Sequence, residues 1–179
     1  MAAFGATAQV SLVNPVPQEV AVTEGAVLAD APQQWALNAD AKRLGGYVYD
    51  ALKSASPEIV DQAPFKVTFG VRGDKKIAKY KKSIPAKPEG YFLKVTDKEA
   101  VIAGNDEKGL FYGVQTLLGL MQNGKLEACT ITDWPDVPFR GTVEGFYGTP
   151  WSHEARKSQL EFYGRNKMNV YIYGPKDDP

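Results

Sequence analysis

Residues 140–178 read RGTVEGFYGTPWSHEARKSQLEFYGRNKMNVYIYGPKDD, and the order of residue types in that stretch decides the fold. Thr142-Val143-Glu144 is a short β-favouring run, cut by Gly145 and Gly148, whose missing side chains permit turns. Pro150 suits the first turn of a helix, and Ser152 can cap its exposed amides. Glu154 then stands near the positive end of the helix dipole, and Arg165 and Lys167 near the negative end. Gly164 or Asn166 ends the helix, and Asn169 to Tyr173 reads as a second strand. A helix of about fourteen residues between two strands predicts a parallel, right-handed βαβ crossover.

That unit cannot stand alone, and the rest of the chain supplies a domain before it. At 179 residues the protein can bury a core, read as one domain plus the start of another. Lysine plus arginine equals aspartate plus glutamate at 21 each, so the net charge gives no footprint for nucleic acid or anionic membrane. No apolar run approaches the roughly 20 residues needed to span a bilayer. Cys129 is the only cysteine and His153 the only histidine, which excludes an internal disulfide and a Cys/His metal cluster. Cys129 reads as a small buried hydrophobe beside a strand.

Met1 to Gln9 is small and apolar with an Ala-Thr-Ala triplet, similar to the end of a secretory signal and its cleavage site. A truncated end fits the same residues. The first reading predicts a secreted or periplasmic protein.

Val10 to Val13 and Glu19 to Val22 read as short strands separated by Pro15-Val16-Pro17. Asp40 to Ser54 is a helix candidate with Ala41, Leu44, Val48, Ala51 and Leu52 on one face, weakened by Gly45-Gly46 at roughly 1 kcal/mol each. Phe65 to Val71 alternates as a strand. Arg72 to Lys82 is read as a basic loop; its Arg72-Gly73-Asp74 tripeptide is a polar turn, and its lysines form a solvated surface. Gly90 to Thr96 and Ala100 to Ala103 form a hairpin. Asn105 or Asp106 caps the clearest helix, with Leu110, Phe111, Val114, Leu117, Leu118 and Met121 on one face and Asn123-Gly124 at its end. Leu126 to Thr132 adds a strand, and the proline-rich Asp133 to Pro138 marks a domain boundary.

Strands and helices alternating before that linker predict an α/β (α+β) domain with a mixed sheet. About 40 residues follow the linker, against the roughly 250 of a (β/α)8 barrel. The expected organisation is therefore residues 1–9 as a leader remnant or disordered end, residues 10–138 as an N-terminal α/β domain, and residues 139–179 as the start of a truncated TIM barrel.

In a barrel, ligands meet the C-terminal ends of the strands. Gly145 and Tyr147 follow the first strand, and Lys176, Asp177 and Asp178 follow the second. Parallel neighbours lie about 4.8 Å apart, so these groups converge on one rim. Gly145 admits close approach to the backbone, Lys176 offers three ammonium donors, and Tyr147 or Trp151 offers an aromatic face for a pyranose. The plainer reading is that the glycines shape a turn and Lys176 pairs with an acid. Glu144 reads as a buried strand-end acid tied to a neighbour, and His153 as a surface residue with no serine or cysteine partner.

Val143 to Trp151 (VEGFYGTPW) followed by Tyr173 to Asp178 (YGPKDD) resembles the opening of a family 84 glycoside hydrolase. That family comprises β-N-acetylglucosaminidases, among them O-GlcNAcases and proteins labelled hyaluronidases. The upstream run Ala103 to Leu118 (AGNDEKGLFYGVQTLL) resembles the small α/β domain preceding the barrel in families 20 and 84. The resemblance implies that Gly145 and Lys176 contact a bound N-acetylglucosamine with Tyr147 beside them. It also implies a retaining glycosidase without metal or organic cofactor, in which the substrate's acetamido oxygen attacks the anomeric carbon to give an oxazoline that water opens. The family's two catalytic aspartates belong to a later motif. Asp177 and Asp178 are therefore expected to cap a helix or hold Lys176, and the 179 residues alone to be inactive. The implied partner is a glycan or glycoprotein carrying N-acetylglucosamine. The rival expectation is a non-catalytic carbohydrate- or protein-interaction module.

Overall fold

Apolar residues alternate along the central strands so as to serve two faces, and both faces of the main sheet are covered. A computed structural model describes residues 12–23, 29–38, 50, 58–145 and 147–176. The expected leader at 1–9, the start of the 10–13 strand, the helix over 40–54 apart from Asp50, and residues Phe146, Asp177 and Asp178 lie outside the described residues. The chain forms two units, Met1–Pro135 and Asp136–Pro179.

In the first unit the strands are β1 (Glu19–Val22), β2 (Ala29–Asp30), β3 (Gln34–Leu37), β4 (Glu58–Ile59), β5 (Phe65–Val71), β6 (Tyr91–Val95), β7 (Glu99–Gly104), β8 (Lys125–Leu126) and β9 (Cys129–Asp133). Seven of them make one sheet in the order β1-β9-β6-β7-β5-β3-β4, and β2 pairs with β8. The β1, β9, β6 and β7 neighbours are antiparallel. The β7, β5, β3 and β4 neighbours are parallel, so the sheet is mixed and the fold is α/β.

Helix α1 (Glu107–Leu120) is started by Asp106, whose Oδ1 accepts from the Gly109 amide at 2.8 Å. Its Leu110, Val114, Leu117 and Leu120 pack with Tyr91, Leu93, Ala100 and Ile102 of the sheet. Each such fully buried aliphatic side chain contributes about 1.5–3 kcal/mol. The approach is close: a Cβ at Gly113 would stand 2.5 Å from Ile102 Cγ2, so only glycine fits there.

The residues between these on the strands, Phe92, Val101 and Ala103, point to the other face and pack with Ile77, Ile84 and Tyr80. The 72–82 segment is therefore more than the expected loop. A 3-10 helix spans Lys75–Tyr80, because Ile77 and Ile84 need burial and the lysines between them do not.

Two other expectations change in this unit. Leu12 and Val13 are not in a strand; Val13 is buried in the core just before Pro15 and Pro17, which lack amide donors for a ladder. The single strand expected over 126–132 is two, because β8 pairs with β2 while β9 pairs with β1 and β6. Strands β2, β3 and β4 had no expectation, although Trp35 of β3 is fully buried against Phe65.

In the second unit, β10 (Gly141–Glu144) and β11 (Val170–Tyr173) are parallel, joined through α2 (His153–Arg165). Ser152 Oγ accepts from the Ala155 amide at 3.2 Å, with Glu154 in the first turn and Arg165 in the last. Pro150 lies two residues before the cap rather than in the first turn, because Ser152 is still extended. Asn166, one of the two residues expected to end the helix, is its C-cap, and Lys167 after it takes the left-handed conformation at φ 58°.

Candidate functional site

The second unit places its chemistry where β10 and β11 end side by side, at the register pair Glu144–Tyr173. Period-two alternation sends Thr142, Glu144 and Tyr171 toward α2, while Val143 and Ile172 face away and stay exposed. On the helix side, buried Tyr163 bonds the Thr142 hydroxyl and packs against Tyr171.

Glu144 is the hub. Its side chain is buried, and its oxygens accept from Arg156 Nε and NH2 at 2.8 Å each, from the Trp151 amide at 2.9 Å, and from the Tyr171 hydroxyl. One carboxylate thus ties the end of β10 to α2, to β11 and to the far end of the 145–150 turn. The Arg156 hydrogen bonds hold its pKa down to about 2, helped by Tyr171 and Trp151 and opposed by burial. A carboxylate so placed is ionised at neutral pH, and its bonds make it a clamp on the turn. The sequence named Glu144 as tied to a neighbour; Arg156 and Tyr171 lie 12 and 27 residues away, and nothing in their local pattern marks them.

Gly145 follows the hub. Its φ is not positive, and a Cβ there would meet only Tyr147 O, at 3.6 Å, an ordinary contact among the described residues. Gly148 differs, with φ 104°, where a side chain is strained. So Gly148 is explained by its turn, and Gly145 is not. Tyr147 is 90% exposed. On the neighbouring strand, a Cβ at Gly174 would stand 2.9 Å from Glu144 O, so the backbone after β11 runs close against the end of β10. Lys176, exposed, stands two residues further on. The three expected substrate contacts thus follow the two paired strand ends at the same end of the parallel pair. The Arg156 guanidinium lies over the Tyr173 ring at 5.0 Å, a further aromatic at this end, expected as a strand residue and the first of the YGPKDD run but not as a site residue. Among the described residues no three His, Cys, Asp or Glu side chains are grouped as metal ligands, and no helix is long and apolar enough to cross a membrane.

Comparisons with known proteins bear on both units. Residues 11–134 match the family model described as glycosyl hydrolase family 20, domain 2, and residues 140–179 match that of beta-N-acetylglucosaminidase. The chain is similar to Protein O-GlcNAcase of Rattus norvegicus, 50% identical over 38 residues, which is 21% of this chain and 4% of that protein. It is similar to Beta-hexosaminidase of Vibrio vulnificus, 34% identical over 94 residues, or 51% of this chain and 11% of that protein. The solved structure of CpGH84B superposes at TM-score 0.74 with 33% identity, covering 93% of this chain and 30% of that one. The chain thus spans about a third or less of each of these relatives.

Proposed function

The chain belongs to the glycosyl hydrolase family 20 domain 2 family and resembles the N-terminal part of family 84 enzymes, and from that premise we propose that it supplies part of the sugar-binding rim of a β-N-acetylglucosaminidase. The observation that carries the reading is Gly145. Its φ is not positive and only one ordinary contact lies near where a Cβ would stand, so the backbone after β10 is open to close approach by a ligand.

In this reading a terminal N-acetylglucosamine of a glycan or glycoprotein lies over the Gly145 backbone. Lys176 donates to a sugar hydroxyl, and the Tyr147 ring packs beside the pyranose. Glu144 holds the turn that carries Gly145 and Tyr147. The exposed Val143 and Ile172 face is covered by further βα units of a (β/α)8 barrel. Cleavage proceeds with the substrate's acetamido oxygen attacking the anomeric carbon as the glycosidic bond breaks. A carboxylic acid outside the described residues protonates the departing oxygen, and water then opens the oxazoline with net retention. Glu144 takes no part in proton transfer, and the 179 residues alone cleave nothing.

The test is hydrolysis of a chromogenic β-N-acetylglucosaminide by the complete protein that carries this chain, with the product anomer followed by NMR. Turnover with retention supports the reading. Absence of turnover by a folded complete protein, or an inverted product, overturns it.

A further inference from the structure

The net charge of the chain is zero, yet Arg72 to Lys87 holds seven cationic residues against the single acid Asp74. The structure makes a fixed surface of that segment. Ile77 and Ile84 are buried beneath it, so the chain between them cannot lift off without exposing both. Arg72 braces it from the inside, donating from Nε to Asn105 Oδ1 at 2.8 Å and from NH2 to Ile84 O at 2.7 Å. Lys75, Lys79, Lys81, Lys82 and Lys87 are left exposed.

The strap lies at one end of the main sheet, where Val71, Gly104, Tyr91 and Asp133 are register neighbours across β5, β7, β6 and β9. The acids at that end are engaged within the fold. Asp74 accepts from the Val71 amide, Asp106 from the Glu89 and Gly109 amides, and Asp133 from Tyr91 and the Gln18 amide. Glu89 stands 3.7 Å from Lys108, and exposed Glu107 is its sequence neighbour. Two half-buried aromatic rings lie among the ammonium groups: Tyr80, stacked on Phe92 with Lys79 at 4.8 Å, and Trp134 with Lys87 at 4.0 Å.

We propose that this strap is a docking surface for a sulfated glycan chain. The proposal rests on the reading of the second unit as part of a glycan-cleaving enzyme, and adds that the first unit grips acidic portions of the same class of substrate. Exposed Lys75, Lys79, Lys81 and Lys82 concentrate positive charge on one short segment, as a chain carrying several sulfates requires, and Tyr80 and Trp134 offer apolar ring faces to sugar C–H groups. A lipid surface fits less well, because the strap turns its two isoleucines inward. A nucleic acid fits less well, because the cationic excess is confined to one short segment of a neutral chain.

The test is equilibrium binding of the 179-residue protein to a heparin-derived hexasaccharide, at low salt and at about 0.15 M, where the Debye length is near 8 Å. The combined variant Lys75→Gln, Lys79→Gln, Lys81→Gln, Lys82→Gln should bind at least about tenfold more weakly, since each exposed ion pair contributes only a small share. A control with Lys66→Gln, Lys98→Gln, Lys157→Gln and Arg165→Gln should bind like the parent. Circular dichroism confirms the fold of both. Equal affinity of the strap variant, an equal loss in the control, or binding to single-stranded oligonucleotide or anionic vesicles as tight as to the hexasaccharide overturns the proposal. No arm uses N-acetylglucosamine or turnover, so failure here leaves the Gly145 reading standing, and failure of that reading leaves this result interpretable.

Discussion

Arg156 donates to Glu144 through Nε and NH2 at 2.8 Å each, a two-point grip of helix α2 on the end of strand β10. The pair fixes the turn that carries Gly145 and Tyr147, because the Trp151 amide at the turn's far end bonds the same carboxylate.

This grip predicts an acid-sensitive second unit. Glu144 titrates near 2 in the folded unit against 4.5 for the free group, so its stabilisation is full above about pH 4.5 and fades as pH falls toward 2. Protection factors of the β10 and β11 amides, with the intrinsic pH dependence of exchange divided out, should fall across that window in the parent. In Glu144→Gln the same protection factors should be lower at neutral pH and change little on acidification. An identical acid response in the variant would place the sensitivity elsewhere.

Two glycines at opposite ends of β10, Gly141 at its start and Gly145 just after its last residue, should behave oppositely. A Cβ at Gly141 would stand 1.7 Å from Val170 O, so Gly141→Ala should loosen the β10–β11 pairing by about 1–3 kcal/mol or more. Gly145→Ala should leave stability within about 1 kcal/mol, as only an ordinary contact is added, while weakening sugar binding in the complete protein. Denaturant midpoints of the two variants check the first half. Equal destabilisation would show that Gly145 is required by the fold.

In the first unit, the buried Tyr91 hydroxyl donates to Asp133 Oδ2 at 2.8 Å and shares a 2.5 Å hydrogen bond with Thr116. Tyr91→Phe leaves both partners short of a bond and should cost about 1–3 kcal/mol. Burial and the Asp133 charge raise the phenol well above its usual 10, so stability from this group is full below pH 10 and falls as pH rises beyond it. Denaturation at pH 8 and at pH 11 should show that fall in the parent and its absence in the variant.

Much of this was legible where one strong local signal acted alone. Glu19–Val22 and Phe65–Val71 fall at their expected bounds, and Asp106 caps α1 as one of two candidates. What escaped depended on partners remote in sequence. Trp35 sits in a four-residue strand whose burial comes from β5, some 30 positions later, and Trp35→Ala should cost about 3–5 kcal/mol. The strap's buried isoleucines were hidden by the lysines around them. At the site, the sequence placed Gly145, Tyr147 and Lys176 after the two strands, but the hub of Glu144, Arg156 and Tyr171 requires the helix to be folded back on the pair.

The central claim is that Lys176 and Gly145 hold one sugar. Its most direct measurement is the affinity of an N-acetylglucosamine-like inhibitor for the complete protein, in the parent and in Lys176→Ala with both confirmed folded. A charge-assisted hydrogen bond contributes about 1.5–3 kcal/mol, so the variant should bind roughly 10- to 150-fold more weakly. Unchanged affinity would make Lys176 a bystander and contradict the account.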